Sequence, residues 1–162
     1  RKIFLKKIID FKNLKLVDYA NYSNTLYNLM TVYNQAGKYE EATAMGDELL
    51  AEDKAHYGVK SKEYGESAIF YLRTLAEQGS FRKAKLEAEK ILEEIGNDHI
   101  LYALVLNNYA DILAALGEHS KSEKIFYESL RGIRAGTEAG ELDEASVSVN
   151  LASLYVDKGQ YI

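Results

Sequence analysis

The sequence predicts an all-α protein, an α-solenoid of antiparallel helix pairs. Three observations predict it. The 162 residues contain no proline and only 11 glycines. One glycine-ended segment recurs four times in a single register. Each copy carries large apolar residues one helical turn apart. A domain of hairpins and crossed loops spends Pro and Gly on its turns, so their scarcity leaves long helices joined by tight reversals. With 47% hydrophobic and 28% charged residues, the chain has the balance of a folded protein rather than a disordered one.

The four segments align without gaps: 26–37, 68–79, 106–117 and 148–159, ending on Gly37, Gly79, Gly117 and Gly159 and spaced by 42, 38 and 42 residues. Eight positions before the glycine stand Leu29, Tyr71, Tyr109 and Leu151, and four before it Tyr33, Leu75, Leu113 and Tyr155. Residues four apart share a helical stripe, so these two columns fill a core. Glycine then ends the helix in a backbone conformation that other residues avoid. Two positions later Tyr39, Phe81, His119 and Tyr161 cover the turn. Five positions later Ala42, Ala84 and Ser122 are small enough for paired helices to approach closely.

This register predicts a helix over 2–14 as the second half of a preceding repeat. Pairs follow at 20–36 with 39–54, 62–78 with 81–95, and 99–116 with 119–134, and a last helix at 143–158. The corresponding units of a single array are 1–17, 18–58, 59–97, 98–138 and 139–162. Half-repeats at both ends expose apolar faces that flanking repeats or another subunit would cover, so the chain reads as a piece of a longer protein.

Composition excludes several chemistries. The sequence has no cysteine, which removes disulfides, thiolate metal sites and cysteine nucleophiles. No apolar run approaches the roughly 18 residues of a membrane span, and Arg1–Lys7 is followed by no apolar core or cleavage site of a secretory signal. Residues 1–15 hold six basic residues against Asp10, whereas the remainder has 14 basic and 24 acidic. An acidic body argues against nucleic acid as partner. His56, His99 and His119 are nowhere spaced as metal ligands on one helix, and no phosphate-binding glycine loop or nucleophile elbow occurs. The expectation is therefore no enzyme, no cofactor and no metal. Tyr22, Tyr27 and Tyr102 fall outside the packing columns and are candidates for exposed contact residues.

The succession of large apolar, small, aromatic, then Gly, aromatic and Ala resembles the tetratricopeptide repeat. A period near 42 residues rather than 34 is similar to the kinesin light chain variety. Gly96-Asn97-Asp98-His99 followed by Leu106-Asn107-Asn108-Tyr109-Ala110 matches its linker and helix, except that Ile100 replaces a proline. Tyr57-Gly58 and Gly140-Glu141-Leu142-Asp143 are weaker echoes. Met30 and Leu72 stand where a small residue is expected, and Gly46 where a bulky one is.

The resemblance implies a right-handed superhelix whose first helices line a concave groove. Carried over through the glycine register, the groove columns are Asn28, Phe70, Asn108 and Asn150; Thr31, Arg73, Asp111 and Ser153; and Asn24, Glu66, Leu104 and Ser146. An amide both donates and accepts, so an Asn column can pair with the backbone of an extended peptide. Arg73 is the one cation in these columns, so a clamp for a C-terminal carboxylate is missing. The implied function is a non-enzymatic scaffold or adaptor, in the cytoplasm or on the cytoskeleton, that binds a protein or extended peptide, with neither nucleic-acid binding nor membrane insertion. The alternatives are a structural segment of a cytoskeletal, ciliary or transport assembly, or a sensor array attached to an ATPase or transcription regulator.

Overall fold

The computed structural model describes residues 18–98, 101–135, 141–157 and 159. The helix expected at 2–14, the basic N-terminal stretch, His99, Gly140 and Tyr161 lie outside the described residues. Among the described residues there are seven α-helices and no strand: α1 (Tyr19–Gln35), α2 (Tyr39–His56), α3 (Lys62–Glu77), α4 (Phe81–Ile95), α5 (Tyr102–Ala115), α6 (His119–Arg134) and α7 (Glu141–Asp157). They form two compact units, divided between His56 and Tyr57.

The turns explain why the helices end where the glycine register places them. Gly37, Gly79, Gly117 and Gly159 adopt φ of 70°, 73°, 77° and 66°, the left-handed region. At each of the first three, two hydrogen bonds close the helix. The glycine N–H reaches back to Asn34, Ala76 or Ala114, and the next N–H reaches to Tyr33, Leu75 or Leu113, all within 2.9–3.0 Å. This is the Schellman arrangement, and it satisfies carbonyls that a helix end otherwise leaves bare. At the other ends, Asp18 and Ser61 accept from the Asn21 and Tyr64 N–H groups, each at 3.1 Å, and so cap α1 and α3.

In the first unit α1 and α2 run antiparallel, the start of one against the end of the other. Tyr22, Leu26, Met30, Ala42 and Leu49 are buried between them. Asp53 is 1% exposed and accepts from the Tyr19 hydroxyl at 2.9 Å and the Ser23 hydroxyl at 3.0 Å, the supply a buried carboxylate needs. His56 stacks on the Tyr19 ring, centroids 3.7 Å apart. Met30 fits within the core, fully buried.

In the second unit each helix packs on its chain neighbour, and α5 also touches α3 and α7. The first helices α3, α5 and α7 are therefore neighbours of one another as well as of the second helices. Tyr71, Leu72, Leu75, Ile91, Ile95, Ile112 and Leu113 are all but inaccessible between them. Ala103, Ala110, Phe126, Leu130, Ile133, Val147, Leu151 and Leu154 make the adjoining core of α5, α6 and α7. The small column does what its size implies: Ala84 and Ser122 are fully buried, and the Ser122 hydroxyl donates to the Ala110 carbonyl at 2.8 Å.

At Gly132 α5 and α6 approach closely, since a Cβ there would meet the Ala103 Cβ at 2.9 Å. Gly132→Ala gains about 1 kcal/mol of helix propensity but forces a methyl group into a closed contact, at about 1–3 kcal/mol. The crowding wins, so the variant unfolds at lower urea concentration than the parent. A midpoint that rises would show that the two helices separate freely.

Candidate binding groove

α5 touches both α3 and α7, and the three helices line a groove of about 580 Å³. Six of the nine groove residues expected in this unit line it together: Arg73, Leu104, Asn108, Asp111, Ser146 and Asn150. Glu66, Phe70 and Ser153 do not line it. In their place come Ile69, Asn107, Ala145 and Val149. Ile69, Asn107 and Val149 all stand ten positions before their glycines. The stripe is thus centred one residue earlier than the Asn column. Positions thirteen, ten and six before the glycine follow the i, i+3, i+7 spacing of one helical face. Phe70, nine before its glycine, is half-buried and outside this lining.

In the first unit, Asn24 and Asn28 are exposed on α1, and the half-buried Thr31 donates its hydroxyl to the Tyr27 carbonyl at 3.0 Å. Tyr27 is 40% exposed and occupies the ten-before position, while Tyr22 is buried at 3%.

The amides are partly engaged within the fold. The Asn150 Nδ2 donates to Asp111 Oδ2 at 2.8 Å and to Asn107 Oδ1 at 3.2 Å, linking α7 to α5. The Asn108 Nδ2 donates to the Leu104 carbonyl of its own helix at 2.8 Å. What the groove offers a ligand is therefore mainly amide oxygens, the Asp111 carboxylate, the exposed Arg73 and the apolar edges of Ile69, Leu104 and Val149. Val149 is 68% exposed, the most open large apolar side chain among the described residues.

Electrostatics distinguish Asp111. It is exposed at its outer edge but sits in the groove lining beside Arg73, Leu104 and Asn108, which displace part of the water around it. That desolvation pushes its pKa up from 3.8 to about 6. Among the described residues only Asn150 donates to it. The opposite face of α5 is differently arranged. Tyr109 donates to Glu89 of α4 at 2.6 Å, and Lys121 of α6 donates to the Tyr109 hydroxyl at 2.8 Å. The Tyr109 hydrogen bond first, and then the Lys121 and Lys85 charges, hold Glu89 below the usual carboxylate range. The Tyr109 hydroxyl is thus paired on both sides, whereas Asp111 meets one protein donor. Among the described residues no cluster of three His, Asp or Glu gathers as metal ligands, and no helix is long and apolar enough to cross a membrane.

The raised pKa has a definite sign. The folded state holds the Asp111 proton more tightly than the unfolded chain, so this residue penalises folding above about pH 6, and the penalty fades as pH falls toward about 4. Asp111→Asn keeps an acceptor for Asn150 and removes the charge. The variant should show a higher urea midpoint at neutral pH and a flatter dependence between about pH 4 and 7. A lower midpoint at neutral pH would mean that the charge is stabilised where it sits. A scan against protein-family models gives no match for this chain, and a search of curated proteins gives none.

Proposed function

We propose that the chain is a non-enzymatic repeat module of the tetratricopeptide kind, close to the kinesin light chain variety, acting as a scaffold or adaptor. The groove of α3, α5 and α7 receives an extended segment of a partner protein. The observation that carries this reading is the exposed, mixed lining of that groove. An apolar edge at Ile69, Leu104 and Val149 runs beside Asn107, Asn108, Asp111 and Asn150 on three successive first helices. Concave surfaces with a few convergent polar groups are the usual ligand sites of proteins, and stacked helix pairs use such surfaces to hold extended partners. An extended chain presents a donor and an acceptor at every residue, which the amide oxygens and carboxylate can meet without reading its sequence. The 42-residue spacing and the Asn-Asn-Tyr-Ala run at 107–110 support the family assignment, and a cytoplasmic, α-solenoid scaffold is what it implies.

Selection from a random peptide library against the intact chain tests the reading. Recovered peptides should lose about tenfold or more in affinity with Leu104→Arg or Val149→Arg, the scale of one disrupted anchor. Leu86→Arg, on an exposed position of α4 outside the groove, should leave binding intact. Loss with Leu86→Arg and none with the groove variants would place binding elsewhere.

A further inference from the structure

Between α3 and α5 the groove deepens into a hollow of about 170 Å³. Its walls are Leu72, Ala76 and Ile112, and its polar rim is Arg73, Glu77, Asn108 and Asp111. A cavity of roughly 150 Å³ holds a benzene-sized group, so there is room for one long side chain. We propose that this hollow seats a lysine or arginine side chain of the extended peptide bound in the groove, with its charge on the Asp111 carboxylate. The inference rests on the groove being the peptide site and adds the chemistry of the occupant.

Three features select a cation. The hollow carries two carboxylates against one guanidinium, and the apolar walls suit the methylene stem of a long basic side chain whose head remains polar. The Asp111 carboxylate can accept several hydrogen bonds, but the described residues supply one donor, the Asn150 amide. An ammonium or guanidinium brings both the further donors and the countercharge. The charge balance of the second unit agrees in sign, because residues 57–162 hold 17 acidic against 12 basic side chains.

The same geometry makes the contact pH-dependent. From α3 the groups around Asp111 are Arg73 and Glu77, and from α7 it meets the uncharged Asn150. On the far face of α5, Lys85 and Glu89 of α4 and Lys121 of α6 gather round Tyr109, with Glu118 nearby, and Glu128 of α6 stands near Tyr102. Asp111 is thus the group within the hollow that changes charge in the mildly acidic range, its carboxyl pushed up to about 6 by desolvation. Neutralising it removes the countercharge that holds the cation.

Fluorescence anisotropy with short acetylated, amidated Ser/Ala/Val peptides tests this. The peptides differ at one central position: Lys, norleucine or Glu. At about pH 7.5 the Lys peptide should bind roughly tenfold tighter than the norleucine peptide, the scale of one partly desolvated charge pair, and the advantage should shrink near pH 5. Asp111→Asn should abolish the Lys advantage, so that the variant binds the Lys and norleucine peptides alike, and Arg73→Ala should enlarge the advantage. Equal binding of all three peptides, with loss on Val149→Arg, would leave the groove reading standing and overturn the basic-side-chain inference. Preference for the Glu peptide would assign the anchor to Arg73 and overturn it as well. If no peptide binds at any pH, the groove reading fails and takes the inference with it.

Discussion

The left-handed glycine turn is the constraint on which the rest of the structure depends. At Gly37, Gly79 and Gly117 the same pair of backbone hydrogen bonds closes the first helix of a pair and launches the second. The carbonyl accepting from the residue after the glycine belongs to Tyr33, Leu75 or Leu113, members of the core column. One hydrogen-bond pattern thus fixes where the helix stops and which of its faces points inward. Shifting the turn by one residue would rotate every preceding side chain by about 100° around the helix. Ala42, Ala84 and Ser122 lie five residues beyond, where the two helices first come close, and all three are fully buried.

Polar ties then hold the pairs in place. Each first helix contributes a tyrosine whose hydroxyl donates to a glutamate of a second helix: Tyr22 to Glu48, Tyr64 to Glu94, Tyr109 to Glu89 and Tyr155 to Glu123, at 2.6–2.8 Å. The first two bonds are made within a helix pair. The latter two join a first helix to the preceding second helix, as does the contact of α5 with α4. A buried hydroxyl with a charged acceptor is a costly group made good, so these ties fix orientation as well as adding stability. Lys60 plays a related part by donating to the Ile95 carbonyl at the end of α4 at 2.5 Å and to Asp98 at 2.6 Å. Asp111 differs, standing exposed in the groove with one donor among the described residues. A carboxyl whose pKa is displaced in a cleft is a candidate for ligand chemistry.

Most helix boundaries were legible because the rules that set them are local. The glycine register gives 81–95 and 119–134 to the residue, and all but one of the remaining ends to within a residue or two, where helices fray. The helix expected from 99 begins among the described residues at Tyr102, with Leu101 at its cap position. The groove was legible only in part. The repetition of Asn28, Asn108 and Asn150 drew attention to the column nine before the glycine, yet in the second unit Ile69, Asn107 and Val149, one position earlier, complete the lining. That rotation depends on how one helix pair leans on the next, which no window of sequence contains. The tyrosine–glutamate ties were equally hidden, since their partners lie 20 to 32 residues apart. Met30 and Leu72 looked oversized for their column but are wholly buried, because neighbouring helices leave room that a consensus does not describe.

The groove as binding surface is the central claim, and the absence of cysteine makes it directly measurable. A single cysteine carrying a photocrosslinker can be placed at Val149, in the groove, or at Leu86, on the exposed side of α4. Irradiation with the lysine-bearing peptide should yield a crosslinked adduct from position 149 and little from position 86. An adduct from position 86 with none from position 149 would contradict the claim.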